Sequence, residues 1–185
     1  MQPSDSMPDV PPAPRQLPQP EDFPESGPNA LGAVGSRAGA RLLDLLIAAA
    51  PLVLVYIAAV TVAARDSGAA PEDAVPPAWA LALALAFAVG YETISLALGG
   101  ATLFMRVFGL RVARYTDGRR PTWEQAFLRT LVPWTAVALV LPWVGLVGIG
   151  GAFGAAGVVY LTSLYNPLRR GVHDIAGGTI VIRTR

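Results

Sequence analysis

Three long apolar stretches organise the chain. Leu42–Ala64 contains one charged residue, Asp44. Trp79–Leu98 contains one, Glu92. From Thr130 to Leu168 there is none. Apolar runs of about 18 or more residues read as membrane helices. The pattern predicts a first helix starting near Ser36 or Arg37 and crossing from Leu42 to Ala64, with Pro51 as a kink point. A second is predicted over about Trp79–Leu98. Pro76 and Pro77 precede it, where proline suits a helix start, and Trp79 suits an interfacial anchor. The third stretch is too long for one straight span: at about 1.5 Å per residue it overshoots a hydrocarbon core of about 30 Å.

Charge decides how that third stretch folds. The loop 65–78 carries Arg65 against Asp66, Glu72 and Asp73. The loop 99–129 carries Arg106, Arg111, Arg114, Arg119, Arg120 and Arg129, and the C-terminal segment carries Arg169, Arg170, Arg183 and Arg185. The positive-inside rule places the first loop outside and the other two segments in the cytoplasm. Two cytoplasmic ends require an even number of crossings, so 130–168 is expected to be a hairpin turning near Leu141–Gly151. The helix entering it is expected from Thr122, because Thr122 and Gln125 have capping-box spacing. The fold class is therefore all-α transmembrane with about four crossings and both termini cytoplasmic. Three crossings, with one long tilted third helix, is the alternative. Two small-residue ladders, Ala82/Ala86/Gly90 and Gly150/Gly154, have helix-packing spacing, and spacing does not tell packing within a chain from packing between chains.

Two cytoplasmic segments break the helical period. Phe108–Tyr115 alternates, with Phe108, Leu110 and Val112 on one face, and Asp117-Gly118 supplies a turn. Thr179–Arg183 is short and β-branched. These are expected to pair as a ribbon resting on the helix ends, since an isolated two-stranded ribbon is marginal. At the other end, residues 1–28 hold nine of the 17 prolines and five acids against Arg15. With little to bury, residues 1–33 are expected to form a disordered Pro-rich cytoplasmic arm, and 34–185 the transmembrane domain. The apolar run starts too late for a cleavable signal peptide.

Composition narrows the function. The chain is 15% charged, against about 25% for a soluble domain. A net charge of +1 gives no case for nucleic acid. There is no cysteine and one histidine, His173, which removes thiolate chemistry and His-rich zinc centres. All 14 basic residues are arginine, so a Schiff-base lysine is impossible. No nucleophile–base pair, metal cluster or phosphate-binding glycine loop is visible. The expectation is a non-enzyme without cofactor or metal.

Ordered motifs carry a resemblance. Arg41-Leu-Leu-Asp44 opens the first span. Gly100-Ala-Thr102 follows the second and leads into Arg106–Val112. Asp117-Gly118, Pro121-Thr122, Gln125-Ala126-Phe127 and Arg129 come next, and His173-Asp174-Ile-Ala-Gly177-Gly-Thr179-Ile-Val181 closes the set. Together they resemble the RDD family of bacterial membrane proteins over about residues 34–183. The resemblance implies that its arginine and two aspartates are Arg41, Asp44 and Asp174. It also implies a multi-pass protein of the bacterial cell membrane, and a transport role, since some members are linked to cation/proton exchange. Phe104-Met105 departs from the Gly-Lys that members often carry after the GxT segment.

Arg41 and Asp44 share a helix face, and Asp174 is expected at the same level, so Arg41 is expected to lie between two aspartates. Glu92 lies about 9 Å inside its span by helical rise. Two readings of Arg41, Asp44, Glu92 and Asp174 stand: a structural clamp, and a cation or proton site. His173 reads as a local hydrogen-bonding group. The matching functions are a cation/proton exchanger and a non-catalytic accessory or scaffold module presenting the arm and the Arg-rich loop. The expected partners are the bilayer, anionic lipid headgroups at that loop, and a second copy or another membrane protein.

Overall fold

The computed structural model describes residues 17–67, 78–140 and 145–185. Residues 1–16, the loop residues 68–77 with Pro76 and Pro77, and residues 141–144 lie outside the described residues; of the turn expected near Leu141–Gly151, the part from Gly145 is helix instead. The fold is mostly helical. Its helices are α1 (Val34–Ser67), α2 (Ala78–Gly99), α3 (Leu103–Val107), α4 (Trp123–Val140), α5 (Gly145–Leu161) and α6 (Val172–Ala176). Strands β1 (Leu110–Arg114) and β2 (Thr179–Arg183) form one antiparallel pair. Among the described residues, α1 and α2 are long and apolar enough to cross a membrane.

Each long helix buries one stripe. On α1 the buried stripe is Ala40, Asp44 and Ala48, one helical turn apart. On α2 it is Ala80, Ala84, Ala88, Glu92 and Leu96. The α2 residues repeat every four positions, so alanine lets the backbones approach and Glu92 falls on the inner line. The ladder Ala82/Ala86 singled out in the sequence faces outward, and the packing ladder is its neighbour two residues earlier. Gly154 is likewise exposed. Thr122 caps α4 as predicted: the Gln125 N–H donates to Thr122 Oγ1 (3.2 Å) and the Thr122 N–H to Gln125 Oε1 (3.1 Å). The third apolar stretch is two helices, α4 and α5, packed on each other.

The predicted ribbon forms, with Leu110 opposite Arg183 and Arg114 opposite Thr179. One face, Leu110, Val112 and Val181, packs with Ala40, Leu96, Met105 and Ala126 from the helices. Gly100 makes this possible: its φ of +67° reverses the chain at the end of α2, and its carbonyl accepts the Val112 N–H. Gly118, at φ +69°, serves the turn after β1 where a side chain would be strained.

The opposite face corrects the expectation for the arm. Ala113, Ile180 and Ile182 are buried beneath Phe23, Leu31, Tyr115 and Leu168. Residues 17–33 are thus ordered rather than part of a disordered segment. Leu31 bridges to Ile182, the Asn29 N–H donates to the Arg183 carbonyl (3.0 Å), and the Tyr115 hydroxyl donates to the Pro18 carbonyl (2.7 Å). The physical reason is that Ala113, Ile180 and Ile182 give this ribbon a second apolar face, which Phe23 and Leu31 help to cover. Deleting residues 1–16 is expected to leave thermal melting of the purified protein unchanged, whereas deleting 1–32 lowers Tm markedly by uncovering Ile180 and Ile182. Equal melting of the two truncations would show that this cover contributes nothing.

Candidate functional site

Arginines and acids from α1, α2, α4 and α6 converge on one cavity of about 460 Å³. Arg37, Arg41 and Asp44 come from α1, Glu92 from α2, Arg129 from α4, and His173 and Asp174 from α6. Asp44, Glu92, Arg129, His173 and Asp174 are all buried. Three arginines face three carboxylates, so the cluster is balanced. Burying charge in this way is tolerable only when it is paired and hydrogen-bonded.

The structure brings all four predicted residues, Arg41, Asp44, Glu92 and Asp174, to this cavity, but it pairs them differently. Arg41 does not bridge Asp44 and Asp174. It forms an ion pair with Glu92, whose other oxygen accepts from Trp134 Nε1 at 3.3 Å. The Arg41 guanidinium also lies over the Tyr160 ring, 4.9 Å from its centre, a cation–π arrangement.

Asp44 is held by neutral donors. Tyr91 donates its hydroxyl at 3.0 Å, Thr102 donates its own, and the Phe104 N–H approaches at 3.3 Å. Asp44 therefore caps the start of α3, a favourable place for a carboxylate. This explains the GxT segment: Gly100 turns the chain and Thr102 delivers a hydroxyl to Asp44. The Phe104 contact uses only the backbone. Met105 lines the cavity from the apolar core, so this chain has a neutral wall where the family pattern often has lysine.

Asp174 belongs to a separate pair with Arg129, both 1% exposed. Arg37 lies 3.8 Å from its other oxygen. The Gly171 N–H at 3.2 Å and the Thr179 hydroxyl at 3.3 Å complete its shell. The sequence presents Arg129 as a loop charge and a member of the motif set, and Arg37 as a helix start, neither as a site residue. The usable signal was helical spacing, Arg37 four residues before Arg41, and Arg129 three after Ala126 and four before Pro133.

His173 packs edge-on to Tyr160, with ring centres 4.5 Å apart. Its Nε2 is 3.4 Å from Asp174. Even so, burial and the positive charges of Arg129, Arg41 and Arg37 hold its pKa well below the ordinary value. A lowered histidine pKa stabilises the fold above the unfolded value of about 6.5, and that stability is lost as pH falls below it. Melting temperature is expected to decline from pH 7 towards 5, and His173→Gln should flatten the decline. Identical slopes would remove His173 from the acid response.

The model of one family, the RDD family, matches residues 31–178, a range that includes Arg41, Asp44, the Gly100–Thr102 turn and Asp174. The chain belongs to the RDD family. No curated protein and no solved structure matches it. RDD membership and the two long apolar helices fit a membrane protein. In this RDD protein the arginine and two aspartates assigned by motif are not one triad. They occupy three centres: Arg41 with Glu92, Asp44 with Tyr91 and Thr102, and Asp174 with Arg129.

Proposed function

We propose that this RDD protein crosses the bacterial cell membrane four times, with both ends cytoplasmic, and acts in proton-linked transport, in the form of cation/proton exchange. The observation that carries the reading is the place of Glu92. It sits on the inner stripe of α2, buried, on the wall of the cavity and paired with Arg41. Protonating Glu92 would release Arg41, and losing the proton would restore either the pair or a bound cation. Ionisable groups at membrane depth are functional by default. The packed pair α4 and α5, joined within a few residues, supports the even number of crossings.

A second reading is favoured by a different observation. The three acids are fully engaged and tie α1, α2, α3, α4 and α6 together, which suits a rigid accessory or scaffold module. In that case the exposed arginines Arg106, Arg119 and Arg120 would hold anionic lipid headgroups.

Two measurements test the proposal. Reporter fusions after Arg185 and within 66–76 should be active only inside and only outside, respectively, and an outside C-terminus would overturn four crossings. In proteoliposomes, adding sodium, potassium or lithium should drive dye-reported proton movement, and Glu92→Gln should abolish it while the protein still folds. Absence of flux with every cation from well-folded wild type would overturn exchange in favour of the scaffold.

A further inference from the structure

The hydrogen-bonding capacity left over in the cavity is mostly donor. The carboxylates of Asp44, Glu92 and Asp174 all have partners. The buried donors without one include Arg41 Nη2 and Arg129 Nε among the described residues, while His173 Nδ1, also unpartnered, is an acceptor because Nε2–H faces Asp174. All three residues line the cavity. Arg129 and His173 are more than nine-tenths buried. Buried donors without acceptors are costly, and an acceptor-rich anion would satisfy them. Another cation would not.

The remainder of the cavity is apolar and continues away from the charges. Along α1 the lining runs from Arg37 and Arg41 to Leu45 and Ala48, about 16 Å by helical rise. Val137 and Ala156 line it there, and Trp134, whose Nε1 donates to Glu92, stands between the charges and this apolar part. The cavity also has an open side between two helices. Helix α1 packs on α2, α2 on α4 and α4 on α5, while α1 and α5 have little direct packing among the described residues. Leu42 and Leu161 flank that seam, and both line the cavity while remaining largely exposed.

We infer that this cavity binds an anionic amphiphile, a carboxylate or phosphate head with an acyl tail, which enters between α1 and α5. The head accepts from Arg41 Nη2 and Arg129 Nε, and the tail lies along Leu45, Ala48 and Val137. Charged groups at one end and apolar walls beyond match a ligand with the same asymmetry. The volume of about 460 Å³ lies within the range of about 300–1,000 Å³ usual for small-molecule sites. The inference stands apart from cation/proton exchange, because binding needs no gradient.

The test is a fluorescence titration of purified full-length protein in neutral detergent with dansyl-labelled undecanoic acid. Saturable enhancement is expected. Palmitate and phosphatidic acid should displace the probe, and the tighter of the two identifies the head as carboxylate or phosphate. Palmitic acid methyl ester, acetate and inorganic phosphate should not displace it. Gly157 lines the cavity, and a Cβ added there meets nothing within 4 Å. Gly157→Leu should therefore fill the tail region and weaken binding about tenfold or more without lowering Tm. The double variant Arg41→Gln/Glu92→Gln removes a donor without orphaning the acid and should weaken binding similarly. Non-saturable enhancement, equal displacement by the methyl ester, or undiminished affinity in Gly157→Leu would overturn the inference. Protein that binds the amphiphile but moves no cation would refute the exchange reading alone. Cation flux without binding would refute this inference alone.

Discussion

Replacing Arg129 with methionine is expected to leave little folded protein at ordinary temperature. Its guanidinium and the Asp174 carboxylate are both 1% exposed and pair directly. With the cation gone, Asp174 keeps only Arg37 at 3.8 Å and neutral donors. Breaking a buried pair from one side costs about 3–5 kcal/mol, because the surviving charge stays desolvated and unpaired. That is a large part of the about 5–15 kcal/mol that typically separates folded from unfolded states. Asp174→Asn should be severe for the converse reason. The double variant Arg129→Met/Asp174→Asn removes both charges and should recover much of the loss. The measurement is monodisperse yield and thermal melting in one detergent. If the double variant is as damaged as the two single losses combined, the pair is not the source of the effect.

A second large effect is expected from one added methyl group. A Cβ at Gly177 would lie 2.7 Å from the Gln125 carbonyl oxygen and 2.8 Å from Arg129 Cβ. The φ of Gly177 is −82°, so the need for glycine is steric, not conformational. The obstructing atoms are the backbone and side-chain root of α4, which cannot swing aside. Overpacking of this kind costs about 1–3 kcal/mol, and the rigidity of α4 puts Gly177→Ala at the upper end. Moving α6 from α4 would also pull Asp174 from Arg129, so the loss should exceed the steric cost. By contrast Gly157→Ala, with open space around it, should melt like wild type. Equal melting of Gly177→Ala and Gly157→Ala would show that α6 is free to shift.

These expectations depend on pairings that the sequence only half discloses. The ribbon was legible because alternation and β-branching are local, and its register follows from burying Leu110 and Val112. The Thr122 cap was legible for the same reason. Arg41 and Asp44 were correctly placed on one face, yet three-residue spacing cannot say which partner each takes. Glu92 on α2 reaches Arg41, while Thr102 and Tyr91 saturate Asp44. Arg129 stood in the motif set without a partner: an arginine bordering an apolar stretch satisfies the positive-inside pattern whether it faces water or core. Proline content masked the ordering of residues 17–33, because Phe23 and Leu31 matter through the ribbon they cover, a partner more than 80 positions distant.

The antiparallel pairing of β1 with β2 bears on how the protein is made. Strand β1 leaves the ribosome well before β2, and α4 and α5 are synthesised between them. Until residues 171–183 emerge, Arg129 and Arg37 have no Asp174, and Leu110 and Val112 have no Val181 beside them. The interval keeps an uncompensated arginine and a bare strand edge on a partly built protein. Such an edge invites wrong pairing, and such a charge resists burial. Closure by the segment 171–183 removes both together. A chain stalled before that segment therefore carries an open strand edge and an unpaired charge as the mark of its incompleteness.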